Sequence, residues 1–182
     1  KALSPSAKKK VYNKKVKYWE LKKDSKDITV VSAVGHLYSL TPDNPKDKVY
    51  FDLHWAPAYE VNKRGSGFTK DYVRAIKKLG KNADSYIHAC DYDTEGTLIG
   101  YDALKYACGQ NNLSKSSRMK FSTLTKKDLL DAYENRIELD MNQVDTGIAR
   151  HVLDYYFGVN ISKALMKSVS NAKHRFLKLS AG

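Results

Sequence analysis

Short apolar runs of strand length alternate along this chain with longer segments whose apolar residues recur every three or four positions. That alternation limits the fold more than any other feature. Residues 16–21 alternate as Val-Lys-Tyr-Trp-Glu-Leu and read as a strand. Residues 28–34 form a β-branched run closed by Gly35-His36, the pattern of a buried strand. A turn-rich loop, Thr41-Pro42-Asp43-Asn44-Pro45, precedes an alternating stretch over 49–55. Thr69 can cap a helix that carries Tyr72, Val73, Ile76 and Leu79 on one face and closes at Gly80. Residues 85–90 are the next short strand, followed by a helical segment over 97–108, and a further strand is expected around 119–121. Thr125 and Asp128 resemble a capping box opening a helix through Tyr133. Val144, Ile148, Val152, Tyr155 and Tyr156 recur at helical spacing until Gly158. Strands separated by helices predict an α/β fold with a largely parallel sheet flanked by helices. The segment after residue 124 is read as all-helical, so the expected division is 1–124 and 125–182.

With 182 residues, the chain is long enough for one domain or slightly more, and for a core without disulfide staples. Apolar residues make up 42%, which excludes wholesale disorder. No apolar run approaches the roughly 18 residues that span a bilayer, and no signal-peptide pattern opens the chain. Two cysteines, Cys90 and Cys108, exclude a disulfide framework and a Cys-rich zinc site and suit a reducing cytoplasm. The net charge of +12 is divided unevenly. Residues 1–26 hold ten Lys or Arg against two acids, and residues 155–182 hold five against none. The middle is nearly neutral. Basic ends of this kind suit an anionic polymer such as nucleic acid, although a merely solvated basic surface has the same composition.

The segment carrying the most chemistry is Asp91-Tyr92-Asp93-Thr94-Glu95-Gly96. It follows a buried strand and precedes a helix, where open parallel sheets place their sites. Asp91 and Asp93 point the same way while the chain stays extended, and Glu95 enters from the first helical turn. Three converging carboxylates make a hard oxygen site for Mg²⁺, with Mn²⁺ a possible substitute. The plainer reading makes Asp93 or Thr94 a helix cap and Glu95 a favourable charge at the helix start. A second strand-end loop, Gly35-His36, combines close backbone approach with a side chain able to donate to a phosphate or move a proton.

These segments and their order resemble type IA DNA topoisomerases. The resemblance rests on Val34-Gly35-His36-Leu37-Tyr38-Ser39-Leu40, on Cys90 through Gly96, on residues 118–125 and on residues 144–154. It extends through Gly158, Ile161 and Ser162 to the closing Leu179-Ser180-Ala181-Gly182, and covers about residues 28 to 182. The first part is similar to the family's Toprim domain, and the helix from Val144 to the opening of its DNA-binding helical domain. Tyr92, Thr94 and Thr97 replace the Pro, Arg and last Glu of the bacterial acidic motif, which makes the segment more like the archaeal branch. His151 stands where a second arginine is common. The family's first strand, with its catalytic glutamate, is expected before Lys1, and its nucleophilic tyrosine beyond residue 182.

The resemblance implies a magnesium-dependent isomerase that opens one DNA strand through a 5′-phosphotyrosyl bond, passes a strand, reseals and relaxes negative supercoils without ATP. It implies catalytic and metal roles for Asp91, Asp93 and Glu95. Candidate DNA contacts are His36, Arg150, His151, Tyr155, Asn160 and Lys167, with Ser180, Ala181 and Gly182 approaching the strand by backbone. The implied partner is DNA, especially single-stranded. A monomer with no membrane and no small-molecule cofactor besides the metal is expected, cytoplasmic and nucleoid-associated, and the 182 residues alone are expected to be inactive. Two alternatives use the same residues: the topoisomerase module of a reverse gyrase, and a non-catalytic nucleic-acid-binding module whose acids are only caps.

Overall fold

The computed structural model describes residues 2–45 and 49–171. Near the start, β1 (Lys8–Tyr12), β2 (Val16–Lys23) and β3 (Lys26–Val31) form an antiparallel sheet in the order β1-β2-β3. Both connections are tight. Asn13 and Lys14 have φ of 49° and 58°, and Asp24 and Ser25 have φ of 50° and 59°. Two successive left-handed residues are the signature of a type I′ turn, whose twist matches that of the strands it joins. The first turn is tied down at long range, where Lys15 Nζ (2.8 Å) and Asn13 Nδ2 (3.2 Å) both donate to the Asp71 carboxylate. The Lys15 hydrogen bond is the main influence holding that carboxyl below its ordinary range.

β4 (Tyr38–Thr41) and β5 (His54–Pro57) form a second antiparallel pair, followed by the short helices α1 (Ala58–Val61) and α2 (Lys63–Ser66) and by α3 (Thr69–Gly80). β6 (Tyr86–His88) then leads into α4 (Thr94–Asp102). That helix continues as wider π-type turns over Ala103–Gly109 and a 3₁₀ stretch, Gln110–Lys115, which delivers the chain to β7 (Ser116–Arg118), parallel to β6. α5 (Lys126–Glu134) and α6 (Met141–Asp154) follow, then π-type turns over Tyr155–Asn160 and α7 (Ile161–Asn171).

The α/β class and its parallel pairing hold, but the sheet differs in balance from a largely parallel one. Among the described residues only β6 and β7 pair in parallel, and the other pairings are antiparallel. In the β1-β2-β3 sheet the reason is connection length: turns of two or three residues can only return the chain antiparallel, whereas the parallel β6–β7 pair needs the long crossover that α4 and its extension supply. β3 also departs from the expected buried strand, being exposed at Lys26, Asp27, Thr29 and Val30. It pairs on one side only, with β2. β1, a Lys-rich edge strand, carried no strand signal beyond its two apolar residues, Val11 and Tyr12.

Three apolar clusters position the site. Leu37, Tyr38, Val73, Ile76, Ala103 and Ala107 pack α3 and the end of α4 against the chain around β4. Leu98, Tyr101 and Val144 join α4 to α6, so the helical segment after residue 124 packs directly on the α/β part. Met119, Ala132 and Tyr133 seat α5, with Ile28 and Ile87 beside them.

Candidate metal and nucleic-acid site

The loop between β6 and α4 is shaped from both sides. On the helix side, Asp93 is the N-cap in extended conformation (φ −134°), and its Oδ1 accepts from Gly96 N at 2.6 Å. Gly96 is required: a Cβ there would lie 2.2 Å from the Asp91 carbonyl oxygen. One turn on, a Cβ at Gly100 would lie 2.1 Å from His88 Nε2. These two glycines let strand and loop descend onto the helix.

On the sheet side stands Arg118, only 2% exposed. Its guanidinium donates to the carbonyls of Cys90 (2.6 Å), Asp91 (2.6 Å) and His88 (3.3 Å), and Nη1 also donates to His88 Nδ1 at 2.7 Å. Accepting on Nδ1 leaves the His88 proton on Nε2, which donates to the Thr97 carbonyl at 3.0 Å. Burial first, and the Arg118 charge second, push His88 down to about 4, so it is neutral at pH 7. A fork of fixed geometry on the carbonyls of His88, Cys90 and Asp91 sets where the acidic loop begins. In the sequence, Arg118 falls in a family segment with no assigned role, and His88 carries no signal of its own. A charged residue in a strand is ordinarily a solvated one.

Glu95 lies in the first turn of α4 and is held by three side chains from distant segments. Its Oε2 accepts from His36 Nε2 (2.9 Å) and His151 Nε2 (3.1 Å), and Arg150 Nη1 lies 3.3 Å from its Oε1. Gly35, at φ +85°, makes the left-handed turn that delivers His36. The two imidazole rings stand 4.7 Å apart, and Trp55 lies 5.7 Å beyond His151. Burial pushes the Glu95 carboxyl up, but the hydrogen bonds from His151 and His36 outweigh it and hold the group below its ordinary value. Burial dominates at His36 and pulls it below the usual imidazole value, against the hydrogen bond to Glu95.

The three acidic residues are thus divided. Asp91 and Asp93 are exposed and share a groove of about 360 Å³ with Tyr92, Phe121, Ser122, Thr123 and Leu124. Glu95 faces the histidines. Among the described residues, the one set of three His, Cys, Asp or Glu donor atoms within 4.8 Å of one another is His36, Glu95 and His151. Arg150 is 61% exposed, and its Nε lies 4.0 Å from Asp154.

The other candidates scatter. Asn160 is buried, and its amide is spent on the backbone of Tyr50, donating to the carbonyl (2.6 Å) and accepting from the N–H (3.1 Å). Tyr155 is half-buried, with Lys163 Nζ 5.9 Å from its ring centre, and Lys167 is exposed on α7. Ser180, Ala181 and Gly182 lie outside the described residues.

Known proteins resemble this chain closely in sequence. The family model of the Toprim domain matches residues 6–124. "DNA topoisomerase 1" of Methanothermobacter thermautotrophicus is 58% identical over 181 residues, covering 100% of this chain and 25% of the relative. "DNA topoisomerase 1" of Methanocaldococcus jannaschii is 47% identical over 170 residues, covering 92% and 22%. The protein of that name from Rickettsia felis is 30% identical over 150 residues, covering 81% and 19%. The chain therefore spans a quarter or less of the length of these relatives.

Proposed function

Because this chain belongs to the Toprim domain family, we propose that it supplies the metal-binding and strand-holding part of a type IA DNA topoisomerase. The observation that carries the proposal is the pair of exposed carboxylates, Asp91 and Asp93, at the carboxyl end of a parallel strand, next to the Glu95–Arg150–His151 cluster. In this reading residues 125–182 begin a helical DNA-binding domain. The parent enzyme opens one DNA strand through a 5′-phosphotyrosyl bond, passes a strand and reseals, relaxing negative supercoils. Its substrate is DNA, engaged as a single strand at the break, and it works as a monomer in the cytoplasm.

The donor set fits Mg²⁺. That ion takes one or two carboxylates plus phosphate oxygens and keeps several waters. The cap on Gly96 N uses one oxygen of Asp93 and leaves the other, and no hydrogen bond among the described residues occupies the Asp91 carboxylate. Asp91 and Asp93 would hold the ion, with Glu95 completing the acidic set. When bound, the cation neutralises charge that builds on the reacting phosphodiester.

The protein's own groups do the rest. Arg118 fixes the loop carbonyls, so the carboxylates are presented without reorganisation at the moment of reaction. Arg150, largely exposed and only loosely paired, turns its planar fork to a DNA phosphate. His36 and His151 orient Glu95 through their Nε2 atoms. The cap role of Asp93 is the observation favouring the alternative, a non-catalytic binding module. Mn²⁺ titration of the chain separates the two. Paramagnetic broadening confined to Asp91–Gly96, and abolished by Asp93→Asn, is expected; no broadening at millimolar-scale Mn²⁺, typical of weak carboxylate sites, overturns the metal assignment. Asn caps a helix about as well as Asp, so the variant keeps its fold.

A further inference from the structure

The division of the acidic residues leaves Glu95 in an environment that suits a different class of ion. Both Nε2 atoms, from His36 and His151, converge on a single oxygen, Oε2, at 2.9 and 3.1 Å, while Arg150 engages the other oxygen. In a tetrahedral site with bonds of about 2.0–2.1 Å, neighbouring donors stand roughly 3.3 Å apart. The two nitrogen–oxygen pairs need to open by only a few tenths of an ångström, and all three donors lie within 4.8 Å of one another. Two imidazoles and one carboxylate form the donor set of zinc and other borderline transition ions, whereas Mg²⁺ prefers oxygen alone.

The supports of the three donors are stiff. Glu95 on α4 and His151 on α6 are joined through the Leu98–Val144 contact and a 2.6 Å hydrogen bond from Thr97 to Gln143, and His36 follows the fixed turn at Gly35.

We propose that His36, Glu95 and His151 form a three-ligand site for a Zn²⁺-class transition ion, separate from the hard-ion position at Asp91 and Asp93. Because Glu95 belongs to both sets, filling this site withdraws it from the acidic set. That corollary, unlike the site itself, rests on the topoisomerase reading, and it makes zinc an antagonist of magnesium in this fold.

The test is Zn²⁺ calorimetry on the 182-residue chain at pH 7.5, with Co²⁺ absorption as a spectroscopic probe of nitrogen ligation. One Zn²⁺ per chain is expected. His36→Gln and His151→Gln, each checked for fold by circular dichroism, should weaken it at least tenfold and remove the Co²⁺ visible bands. Asp91→Asn should leave Zn²⁺ affinity within about twofold while reducing Mn²⁺ broadening. Failure to bind Zn²⁺, or binding unchanged in both histidine variants, overturns the proposal. Zn²⁺ binding that responds to the histidines supports it whether or not Mn²⁺ broadens Asp91–Gly96, so the two readings fail separately.

Discussion

At the scale of single residues, two buried ionisable groups pull stability in opposite directions. His88 is pushed down to about 4 by burial, so below the ordinary imidazole value near 6.5 the unfolded chain takes up a proton that the folded chain refuses. Its contribution is therefore lost as pH falls from about 6.5 to 4, worth about 3 kcal/mol. Asp102 is 2% exposed, neither of its oxygens has a partner, and burial raises it to about 7. Between about 4 and 7 the unfolded chain loses that proton and the folded chain keeps it, so stability falls as pH rises. Over pH 4 to 6.5 the two slopes nearly cancel. Asp102→Asn should unmask His88, giving denaturant midpoints that climb through this range where the parent's stay nearly level; parallel profiles for the two proteins would refute the assignment. Arg118 makes a second prediction. Arg118→Lys keeps the charge but not the fork, and Mn²⁺ affinity at the acidic loop should drop about tenfold, as for lost outer-shell partners. An unchanged affinity would reduce Arg118 to a packing residue.

The contrast between Glu95 and its partners shows what the sequence could reveal at this scale. That Glu95 opens a helix was readable locally, from the strand before it and Gly96 after it. That it meets His36 and His151 was not, because those contacts close over 59 and 56 residues of chain. The packing of α4 on α6 brings His151 to Glu95, and the turn at Gly35 brings His36. Asn160 shows the converse: position in a family motif marked it for DNA, while its burial commits both ends of the amide to Tyr50.

At the scale of elements, the seating of α4 on β6 decides a sign. Intrinsic propensity favours Ala over Gly in a helix by about 1 kcal/mol. At Gly100 the added methyl would meet the buried His88 ring at 2.1 Å, and overpacking of that kind costs typically 1–3 kcal/mol. Gly100→Ala should therefore lower the melting temperature despite its better helix propensity, and a rise would show that the ring moves aside freely. The same elements explain the uneven legibility of the fold. α3 and α6 announced themselves by periodicity, since each presents one apolar stripe to one cluster. β1 did not, because an edge strand guarded by Lys8, Lys9 and Lys10 has the composition of a solvated tail.

At the scale of the whole molecule, the uneven charge becomes a surface. Lys8, Lys9, Lys10, Lys17, Lys22 and Lys26 are exposed along the antiparallel sheet of β1, β2 and β3, where Lys10 is already paired with Glu20 at 2.6 Å. Lys9 and Lys8 carry no such partner among the described residues. DNA held by these groups should weaken steeply with salt, through release of counterions. Arg150→Ala should cost more single-stranded DNA affinity than Lys9→Ala at one salt concentration, because a fixed fork loses less freedom on binding than a mobile ammonium. Equal losses, measured by fluorescence anisotropy, would make Arg150 a generic contact. No helix of the described residues is long and apolar enough to cross a membrane.

The two hairpin turns leave stability unclaimed. Asn13-Lys14 and Asp24-Ser25 each place a residue with a Cβ at the second left-handed position, where Asn-Gly and Asp-Gly are the favoured pairs. A protein engineer would need one codon change per turn to reach those pairs, Lys14→Gly and Ser25→Gly. Neither residue reaches the candidate site, so the N-terminal sheet is a place where this chain can be made hardier without altering the groups that do its chemistry.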